Sequence, residues 1–368
     1  MAQFENVAAS PGPAAVKMRR DLTHKFFVKG VTVAVLSGMF YGLYSAFLYW
    51  ATSQGIWVDW YTNYTALLPL ILIGALASAI NDSISAIWCW IIAIGKGKAM
   101  DVLRSIRTKP GLVMVACAVV GGPISSTCYV AAFKMAGSMA IPISALCPAA
   151  GAIIGSVLLR QKLKPKQIIG ILICVIAVFM IGNSAFTGVT INMPMVVGMI
   201  LALIAAVGWG FEGAIAGYGT TLIDYEIGIT IRQTTSGLSN FIILVPIMSM
   251  INGDTHFTHV IQALGTGQAM IWFVVSGFFA VFAYSLWYKG NSMCGAALGM
   301  ACNGGFSFWG PFFTWIIVGL IFKTPDMGLT PMQWAGAIVM FIGICFIAEL
   351  IGGKNTKSNE ENEEEVAV

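Results

Sequence analysis

Residues 129–139 read YVAAFKMAGSM, and residues 284–293 read YSLWYKGNSM. Each phrase has a tyrosine, a lysine five positions on, and a Ser-Met pair shortly after. The repeated lysine matters because the chain otherwise avoids charge. Residues of the types AVILMFWYC make up 58% of it, Asp, Glu, Lys and Arg only 10%, and the mean hydropathy is +0.82. That composition is far from the soluble globular range and implies an integral membrane protein. A bilayer core needs about 20 apolar residues per helix, so 368 residues hold about ten spans and leave little for a soluble domain.

Apolar runs between polar breaks place spans near 30–50, 66–94, 111–133, 138–159, 167–184, 195–216, 228–251, 268–288, 292–321 and 331–351. The runs are continuous instead of alternating with period two, which predicts helices and not barrel strands. The expected fold is an all-α membrane protein of ten transmembrane helices. With the amino terminus inside, cytoplasmic segments receive the basic residues from Lys17 to Lys29, from Lys96 to Lys109 and from Arg160 to Lys166, together with Lys289, Lys354 and Lys357. Only Lys134 and Lys323 fall outside, and Arg232 lies in a span. This is the positive-inside pattern. It predicts a multi-pass protein of the plasma (inner) membrane with both termini cytoplasmic, and it assigns the net charge of +4 to topology rather than to a nucleic-acid partner.

The two opening phrases begin longer parallels. After the first come CPAAG, the basic turn RQKLKPKQ and the span GILICVIAVFMIG; after the second come CNGG, the turn KTPDMGLTPMQ and the span GAIVMFIGICFI. GxxxG spacings recur in corresponding spans, Gly38/Gly42 against Gly213/Gly217 and Gly151/Gly155 against Gly295/Gly299. Small residues four apart let helix backbones approach closely. The chain therefore divides into a cytoplasmic segment 1–29, a first five-helix repeat 30–184, an external linker 185–194, a second repeat 195–351 and an acidic cytoplasmic tail 352–368. Five is odd, so the second repeat enters the membrane inverted, and Lys134 and Lys289 stand at opposite faces. Inverted repeats belong to alternating-access secondary transporters, with the site near the midplane.

Tyr129 to Gly182 resembles the half-repeat of the drug/metabolite transporter superfamily, in its ten-span EamA-like branch. The matching features are the short hairpin before the proline-bearing fourth span, the basic turn and the glycine-started fifth span. The likeness extends more loosely over residues 30–351. It implies a ten-helix metabolite carrier and leaves the substrate open. In place of the glutamate usual after the fourth span stands Gln161, so no role of that glutamate carries over.

Ionisable groups within a membrane each need a partner or a role. Asp82, near the middle of the second span beside Asn81 and Ser83, reads either as a coupling carboxylate for a proton or cation or as a buried group satisfied by neighbours. Glu212 and Arg232, counted from the cytoplasmic ends of spans six and seven, lie at similar depth and read as an ion pair or as a clamp holding an amine and a carboxylate. Gln233 opens the polar stretch of span seven. Tyr41 and Trp209 sit on glycine-rich spans, where aromatic walls suit an organic cation. Asn303, before Gly304-Gly305, marks an interrupted helix. Lys134 and Lys289 read as snorkelling residues or as gates, with Tyr129 and Tyr284 lining the same path.

The function expected is secondary active transport of a small polar metabolite, an amino acid, betaine or organic amine, by alternating access. A sugar-phosphate or nucleotide-sugar carrier is the alternative. An intramembrane enzyme lacks a buried base beside its serines, a passive channel sits poorly with inverted halves, and no GxxxxGK[ST] motif is present to power a pump. No catalytic residue, metal or cofactor is expected. The expected partners are a small-molecule substrate and the lipid bilayer, with a homodimer left open and no nucleic acid.

Overall fold

A computed structural model describes residues 13–64, 66–158, 165–186, 192–219, 222–294, 296–324 and 330–347. Gln161, Gly295, most of the expected linker and the acidic tail lie outside the described residues. The described residues form helices and no strand. Six helices are long and apolar enough to cross a membrane, consistent with a multi-pass membrane protein. They are α1 (Pro13–Ala51), α3 (Leu67–Gly95), α5 (Lys109–Ala136), α8 (Met193–Gly219), α9 (Tyr225–Ile251) and α11 (Gly267–Cys294). Between them lie the short α2 (Ile56–Asn63), α4 (Ala99–Ser105) and α10 (Thr258–Gly265).

The other four expected runs are also helical, but shorter or broken. They give α6 (Cys147–Leu158), α7 (Pro165–Phe186), the pair α12 (Ala296–Asn303) and α13 (Phe306–Ile321), and α14 (Pro331–Ile347). The break between α12 and α13 falls at Gly304-Gly305, where two residues without a side chain end a helix cheaply.

Close packing follows the small residues. A Cβ on Gly42 would stand 2.5 Å from the Trp309 carbonyl carbon, and one on Gly38 2.6 Å from the Asn303 oxygen, so α1 lies backbone to backbone against α12 and α13. On α8 the corresponding approach is made by Gly210, whose Cβ would meet Gly151 N of α6 at 2.8 Å. Gly213, the residue expected there, instead faces the Met300 side chain of α12. Gly170 of α7 and Gly343 of α14 bring those two helices together in the same way.

Helices α3 and α9 run antiparallel along a polar seam. Gln233 Nε2 donates to Ser85 Oγ at 2.6 Å, Ser236 donates to Asp82, and Asn240 Nδ2 donates to Ser78 Oγ at 3.2 Å. Positions descending on one helix meet positions ascending on the other, as antiparallel neighbours must. At one end of the seam Lys96 and Lys98 bind Glu226 at 2.5 and 2.7 Å, and Lys98 also reaches Asp224 at 3.0 Å. Those hydrogen bonds, Glu226 first, hold the Lys98 ammonium above its usual range. At the other end Asp254 accepts from the Thr258 and His259 amides and from the His259 ring, whose other nitrogen meets Tyr64 of the first half at 3.0 Å.

Candidate functional site

The seam passes through a buried charged cluster where α3, α5, α8, α9 and α11 converge. Arg232 is fully buried, and its Nε and Nη2 donate to the two oxygens of Glu212 at 2.8 and 3.2 Å. Its Nη1 donates to Gln233 Oε1 at 2.5 Å and lies 3.7 Å from Asp82 Oδ2. The guanidinium carbon stands 4.3 Å from the centre of the Tyr284 ring, and the Tyr288 hydroxyl donates to Glu212 Oε1 at 3.0 Å. A planar guanidinium suits this use, because its fork binds one carboxylate at two points while its face lies on an aromatic ring.

Where α5 meets the cluster, that helix is locally distorted. Val120–Ser126 is π-helical and contains Pro123, which has no N–H to give. Side chains also donate to carbonyls of this turn: Ser125 Oγ bonds Val120 O at 2.9 Å, while Ser126 Oγ and Trp209 Nε1 each bond Gly121 O at 3.0 Å. Donors from within the protein matter where lipid offers none. Gly121 and Gly122 of this segment face the cluster, and a Cβ on either would collide with the Glu212 carboxylate or the Ser236 hydroxyl respectively.

An aromatic column leads away from Arg232. Tyr284 is followed by Tyr41 at 6.0 Å between ring centres, and Tyr41 stacks on Phe306 at 4.4 Å and meets Trp209 at 5.7 Å. Trp209 meets Tyr129 at 5.1 Å, and the Tyr129 hydroxyl donates to Ser45 Oγ at 3.2 Å. Tyr129 and Ser45 line a small cavity whose wall includes Lys134.

Of the residues singled out in the sequence, Asp82, Glu212, Arg232 and Gln233 come together in one cluster, and Tyr284, Tyr41, Trp209 and Tyr129 form the column beside it. The sequence leaves Asp82 without a named partner; the α3–α9 seam joins it to the Glu212–Arg232 pair. Asn303 is not in the cluster: its amide donates to Ser37 Oγ at 2.9 Å, one turn of α1 before Tyr41. Lys134 and Lys289 lie at opposite ends of the bundle. Gly290 abuts Ala34, just past the middle of α1, whereas Lys134 reaches Ser53 beyond its end, about 28 Å away at the helical rise. Each stands over tyrosine: Lys134 is 4.2 and 4.8 Å from the Tyr49 and Tyr61 ring centres, and Lys289 is 5.0 Å from that of Tyr225. Of the other residues that meet the cluster, sequence reasoning names Ser236 only within the polar stretch of span seven and Tyr288 only among the aromatics of span eight, and it misses Gly121. The spacing of Ser78, Asp82 and Ser85 against Gln233, Ser236 and Asn240, one helical face on each span, is the signal that finds the first of them.

No family model and no curated protein matches the chain. A protein known from its crystal structure is similar to it with a TM-score of 0.54 at 18% identity, over 90% of this chain and 99% of that one. At that identity the likeness concerns the fold.

Proposed function

We propose that the protein is a secondary transporter of a small metabolite carrying an amine or quaternary ammonium group, working by alternating access between two inverted five-helix halves. The observation that carries the reading is the charge count of the buried cluster. Two carboxylates, Asp82 and Glu212, face one guanidinium, Arg232, and all three side chains are removed from solvent. One negative charge is left over where an unpaired charge is costly. A proton or the cationic end of a substrate supplies the balance, and the aromatic column beside Arg232 gives an organic cation a surface to lie on.

Helix pairing supports the inverted halves. If α1, α3, α5, α6 and α7 correspond in order to α8, α9, α11, α12–α13 and α14, the neighbours match. The contact of α1 with α11 answers that of α8 with α5, and α1 with α12 and α13 answers α8 with α6. The pairs α3–α9 and α7–α14 are their own counterparts. The lysines follow a similar rule: Lys134 stands over Tyr61 in the connection between the first two spans, and Lys289 over Tyr225, where the connection between the sixth and seventh ends. In this reading α6, α7, α12–α13 and α14 complete ten spans, the termini are cytoplasmic, and the membrane is the plasma membrane.

The test is transport by purified protein in liposomes. Amino acids, betaines and organic amines should compete for uptake, and sugar phosphates should not. Asp82→Asn should abolish accumulation driven by an imposed gradient while leaving the fold intact. Preference for sugar phosphates, or accumulation by the variant equal to the parent's, would overturn the reading of the charges.

A further inference from the structure

Where α1, α2 and α5 meet, the bundle end holds a cleft of about 290 Å3. Its walls combine the rings of Tyr49, Trp50 and Tyr61 with Ser53, Thr324 and Lys134. The Lys134 ammonium donates to Ser53 Oγ at 2.9 Å and stands over two tyrosine rings. That hydrogen bond occupies one of its three N–H donors. Among the described residues no carboxylate is within 4.0 Å of it. The Tyr61 hydroxyl is also buried without a hydrogen-bond partner.

The other end of the bundle shows by contrast what is missing. There Lys289 stands over Tyr225, the Tyr225 hydroxyl donates to Glu226 at 3.2 Å, and Glu226 and Asp224 bind Lys96 and Lys98. Among the described residues neither lysine has a carboxylate within 4.0 Å; the difference is that the Tyr225 hydroxyl is tied to Glu226, whereas the Tyr61 hydroxyl has no partner. Lys134 is the charged residue in the lining, and exposed Lys323 precedes Thr324, which also lines the cleft. Lys134 and Lys323 are the two cations that the sequence leaves on the outer side.

We infer that this cleft binds an oxyanion, a carboxylate or phosphate on an organic body, with the Lys134 ammonium and the Ser53 and Tyr61 hydroxyls holding the oxyanion and the aromatic rings covering the body. A free metabolite and the phosphate of an anionic lipid headgroup present the same chemistry. The site lies apart from the Arg232 cluster, and the binding stands whether or not the chain transports.

The experiment measures the acetylation rate of Lys134 in the full-length protein by acetic anhydride labelling and peptide mass spectrometry, with exposed Lys109 as internal reference. In lipid-free detergent, benzoate or inorganic phosphate at ten times its Kd should slow labelling of Lys134 about tenfold by mass action, and leave Lys109 unchanged. Slowing in phosphatidylglycerol nanodiscs, but not in phosphatidylcholine nanodiscs or with free anions, would support the same site and identify the lipid as its source. Saturation-transfer NMR of benzoate should give a signal with the parent and with Lys134→Arg, a weaker one with Tyr61→Phe, and none with Lys134→Met. Unchanged labelling of Lys134 in every arm, or benzoate binding by Lys134→Met equal to the parent's, overturns the inference.

Discussion

Replacing Arg232 by glutamine tests the cluster by the order of stabilities it imposes. The substitution removes the one positive charge and leaves Asp82 and Glu212 buried and facing each other across the gap. At 3.7 Å from Asp82 the lost attraction is about 4 kcal/mol at an effective dielectric near 20. Breaking a buried ion pair from one side typically costs about 3–5 kcal/mol in all. Glu212→Gln acts differently, since it takes away one of two negative charges and leaves Arg232 with Asp82. The Arg232–Glu212 ion pair and the charge-assisted character of three hydrogen bonds are lost, but Arg232 keeps a carboxylate partner and no like charges are left facing each other, so the cost should be smaller than that of Arg232→Gln. The double variant restores the native surplus of one negative charge, so it should be more stable than Arg232→Gln alone although it carries one more substitution. Reversible unfolding of the four proteins in mixed micelles, followed by circular dichroism, gives the cycle. Strict additivity, or an Arg232→Gln variant milder than Glu212→Gln, would refute the idea that charge balance organises the cluster.

Gly121→Ala places a methyl group where the Glu212 carboxylate lies, so it should cost about 1–3 kcal/mol and weaken substrate binding, while Ala at exposed Gly95, with nothing near its Cβ, should do neither. Cysteines introduced at Ser105 should be labelled from the cytoplasm only, and those at Ser53 and Thr255 from outside only; labelling of Ser105 from outside would sink the orientation. Asp254→Asn removes the charge from an acceptor of three hydrogen bonds and should destabilise the turn before α10 by about 1–2 kcal/mol, measured as faster hydrogen exchange at His259. Burial pushes the Asp254 carboxyl up, but the hydrogen bonds from His259 and Thr258 outweigh it and hold the group below the usual range. Its folded pKa is depressed, so its contribution is present above about pH 4 and is lost as pH falls through the lower folded value. The difference between parent and variant should close in that acid window.

Much of the helical plan could be read from hydropathy, because a bilayer makes length and apolarity nearly sufficient to find a helix. What hydropathy cannot convey is lateral arrangement. Counting depth from the helix ends brought Glu212 and Arg232 to one level, but it could not name the partner of Asp82 because the count ignores which helices touch. The π-helical turn at Val120–Ser126 was hidden for a related reason: Pro123 announces a disturbance, but not its form, nor that Ser125, Ser126 and Trp209 donate to the Val120 and Gly121 carbonyls of the turn. The glycine pattern was similarly half legible. Gly38 and Gly42 mark a true close approach, whereas on α8 the backbone contact falls to Gly210, three residues before the expected Gly213.

The separation in sequence of the two helices that share the polar seam also bears on how the chain is made. Asp82 leaves the ribosome about 150 residues before Arg232, which at about 5–20 residues per second is roughly 10–30 s of waiting. Throughout that interval α3 sits in lipid with its acid unanswered. The 13 Leu and Ile residues of α3 favour insertion by about 4–8 kcal/mol, against about 3 kcal/mol for the aspartate. The surplus keeps the early helix in place until α9 arrives. A polar substitution on the lipid face of α3, at Ile87 or Ile91, would therefore show itself as lost yield in the cell, through a helix that fails to stay inserted, even where the finished protein is scarcely less stable.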